Sequence, residues 1–300
     1  MLAMKELVQI STQSCPARRP EWLKVRIPGG ENYFELKRLM RSQGLHTVCE
    51  SARCPNVGEC WAHRTATFMI LGDLCTRRCG FCAVPKGRPG GQVDWGEPER
   101  VAEAAEGMGL QYVVVTSVDR DDLADGGSTI FARTIRALQR QIPGCKVEVL
   151  IPDFRGSDAA LETVLAAKPD ILNHNIETVE RLYSVARRGS RYERSLRLLR
   201  HSRAIAPGIP TKSGLMVGLG ETFEEVLVLL ADLASAGVEI VTIGQYLRPS
   251  GEQLPVARFW SPEEFAALKR EGERRGIRHV ESGPLVRSSY HAHEQSQAIS

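Results

Sequence analysis

The cysteines are the residues of this chain whose type and spacing most clearly allow chemistry. There are eight, and six of them fall between residues 49 and 82. The N-terminus lacks the basic and then apolar layout of a signal peptide, so we expect a cytoplasmic protein. In that compartment, clustered cysteines more often bind metal than form disulfides. Of the two outside the group, Cys145 precedes a predicted strand and is expected to be a core residue, whereas Cys15 receives no role.

Three of the clustered cysteines have the spacing C-x3-C-x2-C. They lie in the segment Cys75-Thr-Arg-Arg-Cys79-Gly-Phe-Cys82, directly after a predicted strand. Three thiolates at this spacing can bind one face of a cubane iron–sulfur cluster, which normally takes four thiolates. The fourth iron then stays open to a substrate or cofactor, as in catalytic metal sites. A zinc site completed by His63 is the alternative, although zinc favours paired C-x2-C spacings.

A second cysteine triad precedes the first. Cys49, Cys54 and Cys60 have the spacing C-x4-C-x5-C, and Pro55 and Gly58 between them argue against an extended helix. We therefore expect an irregular loop that turns the three thiolates toward one point. Zinc binding or a lone disulfide is the alternative interpretation.

The elements that must position these triads begin near residue 65, where short apolar runs alternate with amphipathic segments. This alternation predicts parallel strands connected by outer helices. The predicted strands are 66–72, 112–118, 146–152, 171–177, 213–219 and 240–246. The predicted helices are 97–108, 128–141, 157–167, 192–205, 222–235 and 261–274. Six units are too few for a complete eight-fold barrel, so we predict an α/β fold with a partial, open (β/α)6 TIM-type barrel.

The predicted barrel spans residues 65–276. Residues 1–64 form an N-terminal extension that carries the second triad, irregular apart from a short helix over 33–41, and residues 277–300 form a C-terminal extension that ends in a loose tail. Ser128, Ser157 and Ser261 are expected to begin helices. Reactive residues of such barrels lie where strands end. The polar or glycine residues at those places are Cys75, Ser117, Asp119, Asn175, Glu177, Gly218, Gly220, Glu221, Gln245 and Arg248.

The order of the two triads resembles one enzyme family. C-x3-C-x2-C alone is similar to the radical S-adenosylmethionine (SAM) superfamily, and C-x4-C-x5-C before it is similar to lipoyl synthases within that superfamily. The resemblance continues through 116–123, 173–178, 211–221 and 244–250, and it ends with Arg287-Ser288-Ser289-Tyr290-His291-Ala292. It covers residues from about 45 to 292, and both cysteine motifs and the terminal motif occur in the family's order.

The resemblance implies a sulfurtransferase with two 4Fe–4S clusters and SAM as cosubstrate. SAM chelates the open iron of the cluster at Cys75, Cys79 and Cys82, and an electron cleaves it to methionine and a 5′-deoxyadenosyl radical. The radical abstracts hydrogen from C6 and C8 of an octanoyl chain that is amide-linked to a lysine of a lipoyl carrier domain. The auxiliary cluster at the second triad donates the sulfur. Such C–H bonds need a radical that no side chain supplies, so this chemistry belongs to the cofactors.

Single residues also match the family. Those that resemble its SAM contacts are Phe81, Ser117, Asn175, Glu177 and Arg187, although each could instead be an ordinary core or strand-end residue. Arg188 follows Arg187 where the family often has proline. Ser289, with Ser288 as the fallback, resembles the serine that completes the auxiliary cluster. Oxygen is a harder ligand than thiolate and suits iron less well, so that bond is expected to be labile.

The resemblance also implies partners. These are octanoylated lipoyl carrier domains (the acyltransferase subunit of 2-oxoacid dehydrogenases and the H protein of glycine cleavage), an electron donor such as ferredoxin or flavodoxin, and an iron–sulfur carrier protein. A net charge of +3 does not indicate nucleic-acid binding. The sequence contains no run of about 18 apolar residues, so a membrane span is not expected. Arginines recur at 188, 191, 194, 197, 200 and 203. Most are expected to be solvated, and a minority could contact an acidic carrier domain.

Two other classes of function fit parts of the pattern. The first is a different radical SAM enzyme with an auxiliary cluster, such as a biotin-synthase-like enzyme or a methylthiotransferase. The second is an iron–sulfur electron carrier without catalysis, which would need fully ligated clusters. The order of the cysteines and the terminal Arg-Ser-Ser-Tyr favour a lipoyl synthase over the biotin-synthase-like enzyme, the methylthiotransferase and the electron carrier.

Overall fold

One eight-stranded sheet forms the frame of the molecule. The computed structural model of the protein describes residues 20–24, 29–62 and 67–298, so Cys15 and His63 lie outside the described residues. The strands are β1 His46–Thr47, β2 Thr67–Ile70, β3 Tyr112–Ser117, β4 Lys146–Leu150, β5 Ile171–Asn173, β6 Thr211–Val217, β7 Ile240–Gln245 and β8 His279–Gly283. They pair in sequence order, parallel from β2 to β8, with β1 antiparallel to β2. Among the described residues, β1 and β8 do not pair, so the barrel stays open.

Helices connect the parallel strands and cover the sheet. They are α1 Glu31–Ser42, α2 Val48–Ser51, α3 Val57–Ala62, α4 Glu97–Gly107, α5 Ser128–Gln141, α6 Asp158–Leu165, α7 Tyr183–Ala186, α8 Tyr192–Ile205, α9 Phe223–Ser235, α10 Pro262–Arg274 and α11 Ala292–Gln297. On α5, Phe131, Ile135 and Leu138 recur at helical spacing and are fully buried, because this face packs into the core. None of the described helices has both the length and the apolar character to cross a membrane.

The six predicted strands and six predicted helices of the barrel all form. The end strands β1 and β8 were not predicted, because β1 has two residues and β8 places only Val280 in the core without an apolar run. The sheet consequently continues beyond the predicted barrel limits of 65–276 at both ends. Those limits, as divisions between domains, stay a prediction.

All three predicted helix starts are confirmed. The Ser157 hydroxyl accepts the N–H of Ala160, and the Ser261 hydroxyl accepts the N–H of Glu264 in a capping box. Ser128 is the first residue of α5, but its side chain does not cap the helix. Gly127 precedes that helix at a φ of +90°, and the Asp125 carboxylate accepts the N–H groups of Gly127 and Thr129.

Both extensions are more ordered than the sequence indicates. Two cysteines of the second triad lie on short helices, Cys49 on α2 and Cys60 on α3, and Cys54 lies in the turn between them, so the expectation of a wholly irregular loop is wrong. The expectation of a loose tail is also wrong, because α11 follows Tyr290 with Ala292 and Gln295 buried.

Before α11 the chain passes close to the inside of the sheet. A side-chain carbon at Gly244 would collide with the Val286 carbonyl oxygen, so glycine permits this approach.

Candidate active site

A cavity of about 460 Å³ contains both cysteine triads in its wall. The first triad lies on the loop after β2, and the second lies on α2, α3 and the turn between them. The predicted contact residues that also line the cavity are Phe81, Ser117, Asn175, Glu177, Arg187, Ser288 and Ser289. The fold thus brings together every predicted cluster ligand and SAM contact, although they come from distant parts of the chain. Of the strand-end residues, Gly218, Gly220, Glu221 and Gln245 do not line the cavity.

Backbone hydrogen bonds fix the loop of the first triad. The Cys75 N–H donates to Pro85, the Gly87 N–H donates back to Cys75, and the Gly80 N–H donates to Ala186 on α7. Burial raises the pKa of the Cys75 thiol to about 11 and that of Cys79 to about 12, and it also raises that of Cys82. Free thiols are therefore protonated near neutral pH. Iron binding must release these protons, because thiolates are the ligands.

Arg77, inside the first cysteine motif, anchors this loop to the neighbouring strands. Its guanidinium donates to both carboxylate oxygens of Asp121 at 2.9 Å, to Asp153 at 2.5 Å and to the Ser190 hydroxyl at 2.9 Å. It also lies 3.3 Å from Asp119. Sequence reasoning did not single out Arg77, although its position between two cysteines of the motif was a usable signal.

The Glu177 carboxylate, the Asn175 amide and the Arg187 guanidinium lie close together just beyond the ends of β5 and α7. The Asn175 amide donates to Glu177 at 3.1 Å and to the Ser288 hydroxyl at 2.8 Å. Burial raises the pKa of Glu177, while the Arg187 charge beside it acts in the opposite direction. Glu177 also has a φ of +68°, an uncommon conformation for a residue with a side chain. Glu177 lies beyond the end of β5, in an isolated bridge with Leu215, and its side chain lines the cavity.

A buried chain of hydrogen bonds holds Arg187. Its Nη1 donates to the Tyr183 hydroxyl at 2.9 Å and to the Ser195 hydroxyl at 3.0 Å, and Ser195 contacts His174 Nε2 at 2.9 Å. Burial lowers the pKa of His174 to about 3. The imidazole is therefore neutral, donates from Nδ1 to the Ile151 carbonyl at 2.8 Å and accepts at Nε2. No sequence pattern indicated this support for Arg187.

Ser117 and Phe81 are both placed to contact a ligand. The Ser117 hydroxyl is buried in the cavity wall and has no hydrogen-bond partner in the described part of the chain. A buried hydroxyl without a partner is costly, so a polar ligand atom would satisfy it. Phe81 lines the cavity and also packs against the core around β6 and β7, so its packing role and its contact role coexist.

The second triad is also a set of buried, protonated thiols. Burial raises the pKa of Cys49 to about 11 and that of Cys60 to about 12, with neighbouring triad thiols adding to both, and burial also raises that of Cys54. The buried indole N–H of Trp61 lies beside the Cys49 sulfur and has no other acceptor among the described residues. A thiolate at Cys49 would give this N–H an acceptor.

The two serines of the terminal motif point to different parts of the cavity. The Ser289 hydroxyl accepts a hydrogen bond from Thr67 at 2.8 Å, and the Thr67 backbone N–H also contacts Cys49. Ser288 instead pairs with the Asn175 amide. Ser289 is therefore on the side of the second triad, and Ser288 is on the side of Asn175 and Glu177.

Arg287, before these serines, is a further cavity residue that sequence reasoning did not single out. Its charge lies beside Cys54, and its Nη1 donates to the Val286 carbonyl at 2.6 Å. The described part of the chain provides it with no ion-pair partner. A bound anionic group would supply the missing counter-charge.

The donor set fits iron–sulfur clusters. All six triad cysteines are free thiols, so the disulfide alternative for the second triad is not formed. In the described ranges, no three His, Cys, Asp or Glu side chains converge on a point that could hold one metal ion. A cubane cluster does not require such convergence, because each thiolate binds a different iron. Soft thiolates are the ligands such clusters select.

Two family models match this chain. One, described as the radical SAM superfamily, matches residues 69–233, and the other, the N-terminal domain of lipoyl synthase of the radical SAM family, matches residues 3–54. The lipoyl synthase of Koribacter versatilis is 60% identical across 98% of this chain and 96% of its own length. That of Rubrobacter xylanophilus is 59% identical across 93% and 87%. These relatives align along nearly the whole of both chains.

Two solved structures have a similar architecture. Methylornithine synthase aligns with a TM-score of 0.52 at 14% identity, covering 69% of this chain and 61% of that one. Coproporphyrinogen III oxidase from Escherichia coli, a radical SAM enzyme, aligns with a TM-score of 0.53 at 15% identity, covering 68% and 51%. Likeness at these identities concerns the fold alone. Together with the open eight-stranded sheet, it confirms the predicted α/β partial barrel.

Proposed function

The chain belongs to the lipoyl synthase family of radical SAM enzymes, and we propose that it inserts sulfur into protein-bound octanoyl-lysine within the cavity that both triads line. The predicted family is thereby confirmed, and it implies SAM and 4Fe–4S clusters as cofactors. When bound, these groups supply an electron, a fragment of SAM that abstracts hydrogen, and the sulfur. The observation that carries the proposal is the convergence of both triads on one cavity.

The first triad and its neighbours form the SAM side. Cys75, Cys79 and Cys82 would hold one cluster, and because three thiolates are one fewer than such a cluster normally takes, a coordination position would stay open to SAM. The groups positioned to orient SAM are the Ser117 hydroxyl, the Asn175 and Glu177 side chains, the Arg187 guanidinium and the Phe81 ring. A guanidinium suits the carboxylate of SAM, and carboxylate or amide oxygens suit its amino group and ribose hydroxyls.

The second triad forms the sulfur side. Cys49, Cys54 and Cys60 would hold the auxiliary cluster, and the Ser289 hydroxyl, beside Thr67 and Cys49, would be its fourth protein ligand. Ser289 is preferred to Ser288 because it lies on the side of the second triad, whereas Ser288 contacts Asn175 on the other side. Oxygen binds iron less well than sulfur does, so this ligand would be the weakest of the set.

Apolar side chains between these polar groups suit an octanoyl chain. The cavity wall includes Val48, Met69, Leu215, Met216 and Val286. Such a wall excludes water from the alkyl chain and limits the positions it can take. The chain can therefore be held where SAM-derived hydrogen abstraction and sulfur transfer meet.

The proposal implies protein partners. Octanoylated carrier domains, such as the acyltransferase subunit of 2-oxoacid dehydrogenases or the H protein of glycine cleavage, present the substrate. Ferredoxin or flavodoxin supplies electrons, and an iron–sulfur carrier rebuilds the auxiliary cluster. We place this chemistry in the cytoplasm, where six thiols stay reduced.

Substitution of one cysteine from each triad tests the division of labour. Cys79→Ala should abolish production of 5′-deoxyadenosine from SAM, because it removes a ligand of the electron-supplying cluster. Cys54→Ala should keep part of that activity and form no carbon–sulfur bond, since it damages only the donor. Both products are measured by mass spectrometry after anaerobic reconstitution. Lipoyl product from Cys54→Ala would place the donor elsewhere.

A further inference from the structure

Three exposed cations lie at the edge of the cavity. Arg53, Lys86 and Arg248 are the exposed charged residues among those that line it in the described part of the chain. The two carboxylates in the wall, Asp119 and Glu177, are partly buried and lie near the first triad. The outward-facing charge of the cavity is therefore positive.

These cations form a continuous row that passes both triads, which we call the cationic rim. Arg53 directly precedes Cys54, and its Nη1 donates to the Pro249 carbonyl at 3.2 Å. Arg248 donates from Nε to the Gln253 carbonyl at 2.8 Å. Lys86 Nζ donates to the Cys82 carbonyl at 2.8 Å, and the Gln253 amide approaches the same oxygen at 3.5 Å. The segment 248–253 thus links the auxiliary side to the SAM side.

The charges of the rim are not neutralised by the protein. All three side chains are held by backbone carbonyls, and none forms an ion pair with a described residue. The arginines of α8 behave differently, since each of the four has a carboxylate partner: Arg194, Arg197, Arg200 and Arg203 pair with Asp153, Asp158, Glu193 and Glu239. Glu252 is exposed on the segment 248–253 but does not line the cavity. The rim therefore keeps positive charge available to a partner.

The substrate determines what that partner is. An octanoyl chain on a lysine can reach the cavity only if the protein surface around that lysine comes down on the cavity edge. We propose that the cationic rim docks the octanoylated carrier protein by pairing with acidic residues beside its modified lysine. The inference rests on the proposed function and adds the charge that the carrier must present. Complementary charge of this kind raises association rates and selects partners.

The test compares two synthetic octanoyl-lysine peptides that differ only in their flanking residues, aspartates in one and glutamines in the other. A chemical reductant drives the reaction, so no protein electron donor competes for the rim. At low salt, wild-type enzyme should prefer the acidic peptide about tenfold in kcat/KM, from a few weak exposed pairs. The preference should disappear at about 0.5 M salt, where the charges are screened.

Variants locate the effect. R53Q/K86Q/R248Q, which keeps amide donors for the backbone carbonyls, should turn over both peptides equally. The matched control R136Q/R140Q/K168Q removes the same charge from exposed residues that do not line the cavity, and it should keep the preference. Should the triple rim variant assemble clusters poorly, each single variant is expected to lose about twofold of the preference.

Binding of fluorescently labelled peptides, measured by anisotropy, gives a readout independent of turnover. Peptide binding tests the docking role of the cationic rim even if no lipoyl product forms. Failure of the docking proposal can therefore be distinguished from failure of the proposed function. Wild-type enzyme without a preference would overturn the proposal. A rim variant that keeps the preference for the acidic peptide would also overturn the proposal. So would an equal loss of this preference in the control variant, because that result would indicate an effect of net charge alone.

Discussion

Replacing Arg77 with methionine should destabilise the protein more than loss of an ordinary arginine. Its guanidinium is 3% exposed and bonds to Asp153, which is 0% exposed, at 2.5 Å. After substitution, Arg194, whose Nε lies 3.4 Å away, is the one cation among the described residues that still pairs with Asp153. The second large contact, Asp121, is 30% exposed and can turn to water. The expected loss therefore comes mainly from Asp153, left as a buried charge with too little compensation.

The magnitude follows from burial. Removing one partner of a buried ion pair costs about 3–5 kcal/mol, whereas an exposed pair contributes about 0–1 kcal/mol. The pKa of Asp153 gives an independent figure. Burial raises this pKa, but the hydrogen bond and charge of Arg77 outweigh burial and lower it to about 2. Against an ordinary value of about 3.9, that shift corresponds to about 2–3 kcal/mol at neutral pH.

The assay is anaerobic thermal unfolding of the reconstituted protein. R77M should lower the midpoint by about 6–15 °C for a chain of this size. R77M/D153N should recover part of the loss, because the amide still accepts the Arg155 N–H without a buried charge. R100M is the matched control, since Arg100 pairs with Asp94 at the surface.

The effect should also depend on pH. The folded-state pKa of Asp153 lies below its unfolded value, so its stabilisation is present above about pH 4 and is lost as pH falls through about 2. In the cluster-free chain, the difference between wild type and R77M should accordingly narrow in acid. A midpoint change no larger than that of R100M, or a difference that widens in acid, would refute the reasoning.

Three further outcomes are expected. Iron and sulfide analysis after anaerobic reconstitution should give two 4Fe–4S clusters per chain, and a yield that saturates at one cluster would contradict the assignment of two triads. Ser289→Ala should permit cluster assembly and SAM cleavage but block sulfur insertion, while Ser289→Cys should hold the cluster too firmly and also lose product; normal lipoyl formation by the cysteine variant would exclude a labile oxygen ligand. Lys212→Met should cost about 3–5 kcal/mol in thermal unfolding because it leaves the fully buried Glu148 charge without its cation, yet the double variant K212M/E148Q should recover part of this loss, because a neutral amide oxygen still accepts from Asn173 or Tyr112. Equal losses in the single and double variants would contradict that ion-pair account.

Regular elements with strong periodicity were predictable from the sequence. The helix Ser128–Gln141 forms with the predicted limits because its apolar face repeats at helical spacing. The strand predicted over 171–177 instead ends at Asn173, and Glu177 beyond it forms only an isolated bridge at a positive φ that no sequence pattern indicates. Strand β8 and helix α11 were missed because their burial comes from tertiary position rather than from an apolar run.

The residues predicted to bind a cofactor could be named from the sequence, whereas the residues that support them could not. Cysteine spacing predicted both triads and the terminal motif predicted Ser289, and all of these residues line one cavity. The roles of Arg77 and His174 depend on partners more than twenty residues away, such as Asp121, Asp153 and Ser195. Such contacts appear only when the strand ends are brought together in three dimensions.

The most direct test of the account is anaerobic reaction of the reconstituted enzyme with SAM, a chemical reductant and an octanoyl-lysine peptide. Product mass, methionine and 5′-deoxyadenosine are measured together. The account predicts that the peptide loses hydrogen at C6 and C8 and gains two sulfur atoms, while SAM is converted to methionine and 5′-deoxyadenosine. A peptide that gains no sulfur although SAM is cleaved and both clusters are present would contradict it.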